Sequence, residues 1–131
     1  RVTRTFATGG FASFEALARP TLGNVWGWLD PLVPEAVTDH LVERAAAAGG
    51  FNPEDASPLL AAPGVHGRLV LAHGTDDELL PFAQAEAVAR ACAPRCELVR
   101  LEGADHHESL GGPIVRDRSY RLFTGRAYPT D

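Results

Sequence analysis

Apolar positions along the chain change period several times, and each change marks an element. Residues 2–8, VTRTFAT, alternate loosely in polarity and carry β-branched and aromatic side chains, which predicts a strand. Gly9-Gly10 then turns the chain. Residues 12–19, ASFEALAR, predict a short helix that ends at Pro20, whose ring nitrogen has no proton to donate. TLGNVWGWLDPLVP, 21–34, is irregular and rich in large apolar groups. Residues 35–48, EAVTDHLVERAAAA, predict a helix with Val37, Leu41 and Val42 on one face and a stop at Gly49-Gly50. FNPEDASPLLAAPG, interrupted by three prolines, reads as a loop with room for one helical turn.

The most regular pattern comes next. RLVLA, 68–72, is a short apolar run ended by HGT, as in a strand covered on both faces. Pro81 introduces PFAQAEAVARACA, a run of strong helix formers with Phe82, Ala85, Val88, Ala89 and Cys92 on one face. CELVRLE, 96–102, alternates more, and Arg100 and Glu102 suit a strand nearer a sheet edge. Strand, helix and strand make a βαβ unit. The predicted class is therefore α/β, with about three parallel strands (2–7, 68–73 and 96–102) and flanking helices in one domain over residues 1–131. Residues 112–131 receive no assignment.

Composition narrows the function classes. The 131 residues are 45% apolar and 22% charged, ordinary for a globular domain, and the net charge of −5 with no basic stripe argues against nucleic acid. No apolar run approaches the ~18 residues of a membrane span, and no signal peptide is visible, so a cytoplasmic location is the expectation. The chain has no methionine and opens on Arg1 in a mid-strand pattern; all twelve basic residues are arginine. These features predict a piece of a longer protein from a GC-rich, bacterial coding sequence. Cys92 and Cys96 lie in CAPRC, where a disulfide would close a very short loop across Pro94, and two thiols do not make a zinc site. Free, largely buried thiols are expected.

In an open parallel sheet, functional groups collect just past the carboxyl ends of the strands. Past the first strand of the unit lies HGTDDELLP, with Asp76, Asp77 and Glu78; past the second lies EGADHHES, with Asp105, His106, His107 and Glu108. Adjacent strands are ~5 Å apart, so the two loops should face each other and bring a carboxylate to an imidazole. An acid that holds a histidine by its Nδ1–H is the orienting half of a nucleophilic triad. A second reading gathers Asp76, Glu78, Asp105, His107 and Glu108 around a metal, although no H-E-x-x-H or EF-hand spacing occurs.

HGTDDELLP resembles the H-G-x-x-D-x-x-[VL]-P pattern that follows the seventh strand of α/β-hydrolases, and GADH resembles the G-x-x-H pattern after their eighth. The helix between them, and the approach NPEDASPL, are similar to those of bacterial esterases and prolyl-oligopeptidase-like peptidases. The resemblance is firm over 51–110 and supportive over 1–50. It implies Asp77 as the triad acid, His106 as the base, and His73 with Gly74 as shaping the turn. His107, Asp76 and Glu78 fall on variable positions. It implies no cofactor and no metal, and a small ester or peptide as substrate. The family's G-x-S-x-G nucleophile elbow is absent. Ser13 and Ser57 are the only serines before Asp77. Ser13 lies between Phe11 and Glu15, too bulky for an elbow, and reads as a helix cap. The expectation is thus a carboxyl-terminal hydrolase fragment that carries acid and histidine, while nucleophile and oxyanion hole lie in a missing amino-terminal half. A non-catalytic binding module of the same fold is the rival. Residues 20–50, with Trp26 and Trp28, are either a lid over an apolar pocket or ordinary packing; His40 and His66 are expected at the surface.

Overall fold

The β-branched runs pair into one parallel sheet in the computed structural model, which describes residues 2–129. Strands β1 (Arg4–Thr8), β2 (Arg68–Gly74) and β3 (Cys96–Leu101) follow the order β1-β2-β3. Phe6 stands beside Val70 and Ala7 beside Leu71, while Ala72 stands beside Val99 and Gly74 beside Leu101. The strand bounds differ by one or two residues from those expected. β2 is central, which explains its near-continuous apolar run, and β3 is an edge, as Arg100 and Glu102 suggested. On its outer side β1 has no strand partner among the described residues.

Alternation along the strands sends side chains to two faces, and helices cover both. On one face Val70, Ala72, Val99 and Leu101 pack with Val115 and Leu122 of a helix over Pro113–Thr124 (α6). That helix had no sequence assignment, although Pro113 at its first turn and the left-handed Gly125 just past its end are ordinary boundary signals. Asp117 in α6 is held below the usual carboxylate range by the Arg121 guanidinium and the Tyr128 amide, which ties the following tail to the helix. On the other face Ala12, Ala62, Val88 and Cys92 form a second cluster with Leu69 and Leu71. Val88 belongs to α4 (Phe82–Ala91), and Ala62 follows the short α3 (Pro58–Ala61).

Four expectations need correction. Helix α1 spans Phe14–Trp26 and passes through Pro20 instead of ending there. Pro20 cannot donate to the carbonyl of Ala16, and the Gln84 side-chain amide takes that carbonyl at 3.2 Å. Helix α2 (Glu35–Gly49) buries Thr38, Val42 and Ala46, whereas Val37 is exposed; its inner face is turned by about one position. The segment before β2 holds more helix than one turn, with 3₁₀ segments at Pro53–Ala56 and Ala62–Gly64 on either side of α3. Cys92 and Cys96 are joined by a disulfide, not free. Their Cα atoms are 5.6 Å apart, because the turn after α4 folds back at once into β3.

Helices α1 and α2 lean on each other through Arg19, which reaches Glu15, Glu35 and Asp39. Between them a 3₁₀ turn, Gly27–Leu32, leaves Trp28 and Leu32 exposed, while Trp26 is half-buried. His40 and His66 are exposed. No helix among the described residues is long and apolar enough to cross a membrane.

Candidate active site

The two loops past β2 and β3 are stitched together by their backbones. Thr75 N–H donates to Leu101 O, Asp76 N–H to Ala104 O, and Gly103 N–H to the Thr75 hydroxyl. This closeness requires glycine at 74, since a Cβ there would overlap the carbonyl oxygen of Ala104 and the hydroxyl of Ser109. The parallel register therefore determines which side chains of the two loops can meet.

Asp77 is buried at the tip of the first loop, with its carboxylate fully enclosed. Oδ1 accepts from the amides of Leu79 (3.1 Å) and Leu80 (2.8 Å), a turn in which the side chain substitutes for a backbone carbonyl. Oδ2 accepts from His106 Nδ1–H at 2.9 Å. The neighbouring Asp76 is exposed and takes a bond from the Thr75 hydroxyl; Glu78 is exposed. One carboxylate of the acidic run is thus buried against an imidazole and two amides, and the other two face solvent.

His106 owes its position to a helix start. Helix α5 spans His106–Gly111, with Asp105 as its N-cap. The Asp105 side chain accepts from Glu108 N–H at 2.8 Å, and the Glu108 carboxylate accepts from Asp105 N–H at 3.2 Å. This reciprocal capping box carries the D-x-x-E signature in the sequence, although no helix start was expected there. It makes His106 the first helical residue and turns its ring toward Asp77. The ring edge also lies against Gly9, past β1, where a Cβ would approach His106 Cε1 at 3.5 Å and Leu110 at 3.0 Å. His107 is exposed, its ring centroid 6.0 Å from that of His106. The two adjacent histidines are therefore inequivalent: one is clamped to a buried acid and the other faces solvent.

Asp76, Glu78, Asp105, His107 and Glu108 do not converge. Asp105 and Glu108 are engaged with each other's backbone, and no group of three or more ligating side chains suited to a metal occurs among the described residues. The serine hydroxyls are engaged elsewhere. Ser13 caps α1 by accepting from Ala16 N–H, and Ser57 caps α3 and donates to Ala12 O. Ser109 donates to Asp105 O, and Ser119 to Arg116 O. No hydroxyl among the described residues is hydrogen-bonded to His106.

For His73 the H-G pattern implied only a turn-shaping part. The structure gives it a fully buried ring whose Nε2 lies 2.7 Å from Leu80 O and 3.4 Å from Asp77 Oδ2. The signal available in the sequence was a histidine at the inward end of an apolar strand, four residues before the acid.

The chain matches no protein-family model and no curated protein sequence. It is similar in structure to solved hydrolases. Against Thermogutta terrifontis esterase 2, phosphonylated by sarin, it is 26% identical with a TM-score of 0.51, over 67% of this chain and 36% of that one. Against the Pyrococcus horikoshii acylaminoacyl peptidase the identity is 21% and the TM-score 0.52, over 92% and 19%. An acylaminoacyl peptidase in complex with Z-Gly-Gly-Phe-chloromethyl ketone gives 20% and 0.52, over 98% and 21%. The chain thus spans about a third or less of the length of each of these proteins.

Proposed function

We propose that this chain, which has the α/β-hydrolase fold of its esterase and acylaminoacyl-peptidase neighbours, is the acid- and histidine-bearing portion of a serine hydrolase. The observation that carries the reading is the 2.9 Å bond from His106 Nδ1–H to a fully enclosed carboxylate. With Nδ1 so held, Nε2 is the free base of the ring and Asp77 stabilises the imidazolium formed when that base takes a proton. An activated serine then attacks an ester or amide carbonyl, and His106 returns the proton to the leaving alcohol or amine. The serine and the oxyanion donors belong, in this reading, to polypeptide outside the 131 residues, docked against the outer side of β1. Its support is the free edge of β1, the engagement of all four serines elsewhere, and the coverage of only 19–36% of the hydrolase neighbours.

The test uses the full-length protein and short acyl esters and acyl-amino-acid amides. His106→Ala should lower kcat by at least ~10²–10⁴-fold, the usual worth of general-base help. Asp77→Asn should cost ~10⁴-fold by presenting the wrong tautomer. His107→Ala should retain most activity. An organophosphonate probe should label one serine of the native enzyme and fail to label His106→Ala. Turnover lost in His107→Ala but kept in His106→Ala would overturn the assignment. A protein with neither turnover nor labelling would be the non-catalytic binding module instead.

A further inference from the structure

His73 carries a function that neither the triad pattern nor the packing of β2 requires. It is the last side chain on the α4 face of β2 before the loop of the acid, and its ring is wholly buried beside Phe82, with centroids 6.1 Å apart. A buried imidazole is a costly choice for filling space, because each ring nitrogen needs a partner. Its Nε2 lies 2.7 Å from Leu80 O. A carbonyl oxygen only accepts, so this nitrogen carries the proton. Nδ1 is buried without a partner among the described residues. A hydrogen on Nδ1 would find no acceptor, whereas on Nε2 it meets Leu80 O, so Nε2 is the donor.

That hydrogen is donated to Leu80 O, and Asp77 Oδ2 lies 3.4 Å from the same nitrogen without being bonded to it. Leu80 is also the residue whose amide donates to Asp77 Oδ1 at 2.8 Å. One residue of the loop is therefore held from both sides, by the acid at its N–H and by the strand histidine at its C=O. The two amides on Oδ1 fix the carboxylate relative to its own loop, so Oδ2 meets His106 only where that loop is held against β2. The N–H of His73 supplies that hold through Leu80 O.

We propose that His73 is a positioning residue of the Asp77–His106 pair: its Nε2–H ties the loop of the acid back onto β2 through Leu80 O and so holds in place the carboxylate that orients His106. The inference rests on the assignment of Asp77 and His106 as triad members and adds a third side chain that acts through the acid.

The experiment is nuclear magnetic resonance of the full-length protein with ¹⁵N-labelled histidine, His106→Ala and His73→Gln serving to assign signals. In the native protein His73 should show its proton on Nε2 and none on Nδ1, and His106 should show a protected Nδ1–H. His73→Phe keeps the ring volume and removes the donor. Its His106 Nδ1–H should exchange with water at least roughly tenfold faster, as loss of one buried hydrogen bond implies, and kcat should fall with KM little changed. His73→Gln, whose amide nitrogen reaches the place of Nε2, should restore both. Unchanged exchange at His106 in folded His73→Phe overturns the proposal. A native His73 protonated on Nδ1 overturns it without any variant, and decides the matter even where His73→Phe does not fold. Failure of the triad assignment has a different signature: no protected Nδ1–H on His106 and turnover that survives His106→Ala. That outcome removes both, whereas the Nδ1 tautomer of His73 with His106 intact removes only this role.

Discussion

Two glycines and two acids show how narrowly single residues define the site. Gly74 ends β2 where the Ala104 carbonyl crosses it, so any side chain there forces the two loops apart. Gly74→Ala should lower stability by about 3 kcal/mol, the upper range for overpacking, and weaken the His106–Asp77 contact that the loops create. Urea titration measures the first, and the His106 Nδ1–H signal reports the second. Gly9 meets the same ring from β1 and adopts a φ of 53°, which an L side chain rarely takes. At Asp105 and Asp77 two carboxylates of one local sequence type do opposite work. Asp105 is exposed and caps a helix, whereas Asp77 is enclosed and holds an imidazole. Nothing in the identity of either residue distinguishes them; the loops they stand on do.

Elements repeat this lesson where local propensity and tertiary contact disagree. Pro20 predicts a helix end, yet α1 continues to Trp26. Gln84 of α4 supplies the reason: its Nε2 donates to Ala16 O and its Oε1 accepts from Ala12 N–H at 3.0 Å. One long-range side chain satisfies the carbonyl orphaned by proline and anchors the start of the helix as well. Gln84→Leu should leave both groups unpaired and cost about 1–3 kcal/mol. Amide exchange should then rise over residues 17–26 before it rises in the sheet. Equal protection of that segment in the variant would show that the helix needs no such support. The disulfide has the same character, since CAPRC is too compact a signal until α4 and β3 converge at its two ends. Helix α5, by contrast, is determined locally by its capping box, whose D-x-x-E signature the sequence carries although no helix was expected there.

At the scale of the molecule, two modest clusters on opposite faces of a three-stranded sheet hold the site in place. Leu101 lies in one of them, is 4% exposed, and pairs in register with Gly74, so it connects the core directly to the crossing of the loops. Leu101→Ala should cost about 2–5 kcal/mol and loosen both loops together, a loss readable as a lower urea midpoint with coincident decay of the His106 signal. The sheet is short for an α/β domain, and its outer β1 edge is where the proposed remainder of the hydrolase adds strands.

The sequence by itself determined the α/β class, the βαβ unit, three strands to within about two residues, and the pair Asp77 and His106 as the residues to watch. The class, the unit and the strands follow from short-range facts, a period of apolar positions and a proline before a helix. The facing loops brought acids to histidines, and the resemblance of HGTDDELLP and GADH to α/β-hydrolase patterns singled out the pair. Only the tertiary structure decided that α1 crosses Pro20, that α2 buries Thr38 instead of Val37, that Cys92 and Cys96 bond, and that His73 holds the loop of Asp77 through Leu80 O. Each of those outcomes depends on a partner far along the chain or across a turn, whose position no local pattern encodes. A buried group is defined by what satisfies it, and that partner exists only once the chain has folded.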